Sequence, residues 1–179
     1  MTVPPGFPSG ACLDRESIRG LLAAAPPLVE GYLDVDAQLQ PNGFDLTLAS
    51  VAVFTEAGQL GPTDADRRLA GTAELPFDAD GYVMLRPGSY LFRMNETVNL
   101  PLDVMALGRP RSSLLRSGVA VHTAVWDAGY RGRSQALMVV HHPKGFRVAR
   151  NARVLQLVFF RLERAVGRGY EGRYQGEGR

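Results

Sequence analysis

Apolar and polar residues alternate along most of this chain in short stretches, the signature of half-buried strands and not of long helices. Phe44, Leu46 and Leu48 alternate with Asp45 and Thr47, and the turn residues Pro41-Asn42-Gly43 precede them. Val51 and Val53 continue the alternation with its parity shifted by one, so a β-bulge is expected near Ala49-Ser50. Val83-Met84-Leu85, Arg86-Pro87-Gly88-Ser89 and Tyr90-Leu91-Phe92 read as strand, turn and strand. Further strands are expected over 102–107, 119–126, 136–141 and 154–162, the last two apolar enough to be buried. A short helix precedes them, with Asp14 as its N-cap, Ile18, Leu21 and Leu22 as its apolar stripe and Pro26-Pro27 as its stop. Short strands punctuated by glycine and proline, with one or two short helices, predict a mainly β fold, a barrel or jelly-roll-like sandwich.

The two ends depart from this pattern. Residues 1–12 hold Pro4, Pro5, Gly6, Pro8 and Gly10 and read as a flexible arm ahead of a single domain over 13–162. Residues 163–179 carry five glycines and seven charges and read as a second flexible arm. Tyr170 and Tyr174 are unusual there, since a purely solvated tail seldom carries aromatic residues at that density.

Composition narrows the function classes more than the fold. A net charge of +2 gives no reason to expect nucleic acid or an anionic membrane as partner. All but one of the 20 basic side chains are arginine, the exception being Lys144. Arginine suits bidentate phosphate recognition, although a bias this broad reads first as a trait of the source proteome. The lone cysteine, Cys12, allows no internal disulfide and no cysteine-based zinc site. With no signal-peptide pattern and no apolar run of bilayer length, the expected location is the cytoplasm.

Four segments can carry chemistry. In Arg109-Pro110-Arg111-Ser112-Ser113-Leu114-Leu115-Arg116, a serine can cap a short helix between two arginines. That makes either a polyphosphate cradle or an ordinary capped turn in solvent. In Trp126-Asp127-Ala128-Gly129-Tyr130, Asp127 either satisfies the N–H groups of its turn or accepts a proton from water. Asp45 lies one residue into a strand, and Gln156 is the lone polar side chain of an apolar one, so Gln156 needs a partner in the core or in a ligand. His141 and His142 are adjacent and face opposite sides of a strand, and no cluster has metal-ligand spacing.

In order and spacing, these segments resemble the motifs of the dUTPase and dCTP deaminase superfamily. Asn42-Gly43-Phe44-Asp45-Leu46 is similar to its first motif and Pro110-Arg111-Ser112-Ser113-Leu114 to its second. Asp127-Ala128-Gly129-Tyr130-Arg131-Gly132 is similar to the third and Ala152-Arg153-Val154-Leu155-Gln156-Leu157 to the fourth. The form Arg-Ser-Ser-Leu-x-Arg in the second motif resembles the archaeal-type dUTPases. The resemblance implies a distorted β-barrel assembled as a homotrimer with active sites between subunits. It implies dUTP as substrate, with Mg²⁺ carried by the phosphates and no direct metal ligand on the protein. Arg111, Ser112, Ser113 and Arg116 would hold the phosphates, supported by Gln156, with Asp45 a supporting residue. The hairpin at Thr123-Ala124 would read the base, Tyr130 would lie under the sugar, and Asp127 would activate the water. Arg173, Tyr174 and Gln175 of the tail would close over the substrate.

Deaminases of the superfamily use a glutamate in the strand after the third motif. The equivalent position here is Leu137, and no carboxylate occurs from Arg133 to Lys144. Triphosphate hydrolysis is therefore favoured over a dCTP deaminase or a bifunctional enzyme, and over a non-catalytic trimeric nucleotide-binding regulator.

Overall fold

The computed structural model describes residues 11–178. Its first half runs α1 (Arg15–Leu22), β1 (Val29–Glu30), α2 (Val35–Gln38), β2 (Leu39–Gln40), β3 (Gly43–Phe54), β4 (Thr72–Glu74), β5 (Tyr82–Leu85), β6 (Gly88–Met94) and β7 (Thr97–Asn99). The second half runs β8 (Val104–Pro110), α3 (Ser112–Arg116), β9 (Val119–His122), β10 (Val125–Trp126), β11 (Arg131–Gly132), β12 (Gln135–Val140), β13 (Phe146–Ala149) and β14 (Arg153–Arg161). The fold is mainly β, as the alternation predicts, with all three α-helices of the described residues short. No helix among them is long and apolar enough to cross a membrane.

The main sheet is antiparallel and follows the order β10-β8-β14-β3-β6-β12-β9, curling into a half-barrel. Strand β3 makes the curl. Its first half pairs with β14 and its second half with β6, and the β6 register shifts between Leu48 and Ser50. This is the bulge expected from the parity change, and it lets one 12-residue strand serve both flanks of the sheet. Phe44, Leu46 and Leu48 pack inward with Phe92, Leu155 and Phe159, all fully or nearly fully buried. Helix α1 forms as expected: Asp14 accepts from the Ser17 N–H, while Ile18 and Leu22 are buried.

Other local expectations are corrected. The stretch 119–126 is not one strand, because Thr123-Ala124 separates β9 from β10 and the two join different neighbours. The strand, turn and strand expected from Val83 to Phe92 do form, as β5 and β6, although these do not pair with each other and β5 pairs with β13. The expected N-terminal arm lies mostly outside the described residues, but Ala11 and Cys12 run beside β14, with the Arg161 N–H donating to the Ala11 carbonyl. From Glu163 onward the chain folds back on the turn between β10 and β11.

Candidate active site

The candidate residues gather in two places, at opposite ends of β8. At its C-terminal end lies a polar face. Gln156 stands directly opposite Asp45 on one flank and Arg109 on the other, so the three side chains share one face of the sheet. Asp45 is 1% exposed. Its Oδ2 forms an ion pair with Arg111 Nε at 3.0 Å and accepts from Arg153 Nη1 at 3.4 Å. Burial pushes the Asp45 carboxyl up from its ordinary range, and the two arginines pull it back in part. Behind it, the buried Glu96 accepts from the Thr47 hydroxyl at 2.6 Å, the Thr47 N–H at 2.9 Å and Gln38 Nε2 at 2.7 Å. Gln38 also donates to the Asp45 carbonyl and caps the start of α2 through its own oxygen. A buried carboxylate under the sheet thus fixes the backbone that carries Asp45.

Helix α3 starts with Arg111 at the N-cap and no side-chain cap bond, which corrects the expectation that Ser112 or Ser113 caps it. Both serines stand exposed on its first turn, and Arg116 is exposed on its last. For Gln156, expected to need a partner in the core or in a ligand, no core partner is found among the described residues. It is half-buried, packs against Gly43, and takes no side-chain hydrogen bond among the described residues, so its amide is open to a ligand. The fit against Gly43 is close: a Cβ there would lie 2.3 Å from the Leu157 carbonyl oxygen.

The second place is a cleft of 280 Å³ at the other end of β8, walled by Ala124, Asp127, Tyr130 and Tyr174 together with Trp126, Ser134, Tyr170 and Glu177. Asp127 is exposed, and its carbonyl accepts from the Tyr130 N–H at 3.0 Å. Its carboxylate makes no hydrogen bond to the turn among the described residues, so of the two readings open to it the turn-satisfying one is not adopted. Thr123 sits at the edge, its hydroxyl 3.4 Å from the Gly108 carbonyl.

Tyr130 is not an open platform. Its hydroxyl lies 2.9 Å from both Ser134 Oγ and Glu177 Oε1, and Trp126 Nε1 donates to Ser134 Oγ at 2.6 Å. An indole can only donate and each hydroxyl has one proton, so the chain runs from Trp126 to Ser134 to Tyr130 to Glu177. Burial pushes the Tyr130 phenol far above its ordinary range, Ser134 pulling it back in part. Burial also raises Glu177, with the Tyr130 hydroxyl and Arg93 opposing. Gln175 clamps the tail: it accepts from the Arg131 N–H at 2.8 Å and donates to the Gly129 carbonyl at 2.9 Å. Tyr174 lines the cleft, and Arg173 is exposed. Sequence reasoning overlooked Arg153, Ser134 and Glu177. Ser134 carries no local signal, and Glu177 is hidden in a polar tail.

Among the described residues no group of three His, Cys, Asp or Glu side chains offers a metal a protein site.

Residues 12–162 match the family model described as dCTP deaminase-like. The chain is 43% identical over 167 residues to a probable deoxyuridine 5'-triphosphate nucleotidohydrolase of Methanosarcina mazei, covering 93% of this chain and 98% of that one. It is 45% identical over 167 residues to the protein of the same name from Archaeoglobus fulgidus, covering 93% and 97%. Among solved structures, the 2'-deoxycytidine 5'-triphosphate deaminase of Agrobacterium tumefaciens superposes with a TM-score of 0.64 at 27% identity, over 86% of this chain and 49% of that one.

Proposed function

This chain belongs to the dCTP deaminase-like family, and from that premise we propose that it hydrolyses dUTP, taken as its Mg²⁺ complex, to dUMP and pyrophosphate. The observation that carries the reading is the Asp127 carboxylate, which lines the cleft without a hydrogen bond from its own turn. The names of the relatives support dUTP as substrate.

Asp127 orients a water and takes its proton as the oxygen attacks the α-phosphorus in line. The new bond is from water oxygen to phosphorus. The bond that breaks joins the α-phosphorus to the bridging oxygen, which leaves with pyrophosphate. Arg111, Arg116, Ser112 and Ser113 hold the phosphates and stabilise the charge that develops on the leaving group, with Gln156 beside them. The metal ion, when bound with the substrate, neutralises phosphate charge. Thr123-Ala124 reads the base through backbone groups, and Tyr130 sits under the sugar. Arg173, Tyr174 and Gln175 arrive with the tail.

Within one chain the two places stand apart along β8. Trp126 pairs with Ala106, and from there to Arg111 the strand advances about 17 Å, with Asp127 further still. That separation supports a homotrimer in which one subunit lends its polar face to a neighbour's cleft. We place the reaction in the cytoplasm.

Deamination lacks its acid on the strand. Leu137 is half-buried between Leu91 and His122. The other carboxylate of the cleft, Glu177, is engaged by the Tyr130 hydroxyl. The test is to incubate the protein with Mg²⁺ and dUTP or dCTP and assay products. Pyrophosphate from dUTP is expected. Ammonia from dCTP would overturn the reading, and tight dUTP binding without turnover would point to a regulator.

A further inference from the structure

Arg153 belongs to the polar face but has no part in the mechanism above. Three positions separate it from Gln156, so in an unbroken strand the two side chains would face opposite ways. The register shift between Arg153 and Leu155 turns Arg153 over. It then pairs with Thr47 and reaches the same Asp45 oxygen that Arg111 holds.

The two cations on that oxygen are held differently. Arg153 is also tied to the Ala37 carbonyl at the end of α2. Arg111 follows the end of β8, and among the described residues its side chain bonds only Asp45. Arg111 can therefore turn away while Arg153 stays. A carboxylate buried this deeply is costly to leave without a partner, so Arg111 alone on Asp45 would be locked there.

We propose that Arg153 is a positioning residue of the phosphate site: it is the standing counter-ion of Asp45, and its presence lets Arg111 leave that carboxylate for the triphosphate. The proposal rests on reading Arg111 as a phosphate ligand, and the experiment separates the two. Inorganic tripolyphosphate is titrated into the full-length protein by calorimetry, and dUTP turnover is measured in parallel. Arg153→Gln should raise the tripolyphosphate Kd and the KM for dUTP about tenfold, with kcat changed less than about threefold. Arg153→Lys should recover most of that loss. In an Asp45→Asn background, where no carboxylate remains to be balanced, Arg153→Gln should shift Kd by less than about twofold.

Wild-type affinity in Arg153→Gln overturns the proposal. So does an equal loss in both backgrounds, which would mean that Arg153 touches phosphate itself. Should Arg153→Gln alone fail to fold, the Asp45→Asn pair decides, because no uncompensated charge is buried in either member. A wild-type protein that binds tripolyphosphate but does not cleave dUTP refutes the reaction and leaves this comparison standing. One that does not bind tripolyphosphate refutes the proposal.

Discussion

The polar face and the cleft lie at opposite ends of β8 and are held together by different physics. On the face, charged groups are fixed by strand register: Asp45, Gln156 and Arg109 align across three strands, and a bulge swings Arg153 onto the same side. In the cleft, a one-way relay of hydrogen bonds runs from Trp126 to Glu177 and is closed by a terminal segment. The face is rooted in the ladder of the main sheet, with Arg111 just past the end of its strand. The cleft has a wall made by the tail, with Tyr174 and Glu177 tied through the Tyr130 hydroxyl, the clamp of Gln175 and a few backbone bonds. A site that must take in a nucleotide and release two products has reason to root its charges in a sheet and to close with a segment outside it.

The largest effect expected from breaking this division is chemical. Asp127→Asn should lower kcat by about a thousandfold, while affinity for a non-hydrolysable dUTP analogue stays close to wild type. Near-normal turnover in that variant removes the assigned base.

Two glycines then compare the stiffness of the regions. A Cβ on Gly43 meets the Leu157 carbonyl, backbone held in the β3–β14 ladder. Gly43→Ala should cost about 2–3 kcal/mol and lower the melting temperature by roughly 5–10 °C. A Cβ on Gly132 meets side chains and no backbone, lying 2.7 Å from the Tyr130 hydroxyl and 3.2 Å from Glu177 Cγ of the tail. Gly132→Ala should therefore leave the melting temperature within about 2 °C of wild type while making the tail more sensitive to limited proteolysis. Equal melting shifts in the two variants would erase the contrast.

The smallest effect is one of pH. Burial raises the Glu177 carboxyl in the docked tail, so docking takes up a proton. The docked form is therefore favoured most below the ordinary glutamate range, and the advantage is lost as pH rises through the raised value. Fluorescence of Trp126, the only tryptophan, should follow this release, and Glu177→Gln should flatten the profile. A profile unchanged in Glu177→Gln would assign the transition to another group.

How much of this the sequence disclosed depends on the range of the interactions. The Leu46/Leu48 alternation, its parity break and the Asp14 cap are local, and the structure has each of them. The motif residues Asp45, Arg111, Asp127, Tyr130 and Gln156 were legible because their order and spacing match a known pattern. Arg153 was not, because its direction depends on a bulge formed only when β14 meets β3. Ser134 becomes visible only when the turn after β10 brings Trp126 and Tyr130 onto it, and Glu177 only when the tail folds back across 47 residues. The Thr123-Ala124 break, where the family resemblance puts a hairpin, does not show in the alternation because apolar residues flank it on both sides, and β10 finds its partner in β8, not β12.

If face and cleft join across subunits, mixed assemblies decide the matter. Arg111→Gln damages only the face and Asp127→Asn only the cleft, and each purified protein should be nearly inactive toward dUTP. After unfolding and refolding an equimolar mixture, random assembly pairs an intact face with an intact cleft at about a quarter of the sites. Pyrophosphate release near a quarter of the wild-type rate is the result expected. A mixture no more active than its two components would contradict a site built between subunits.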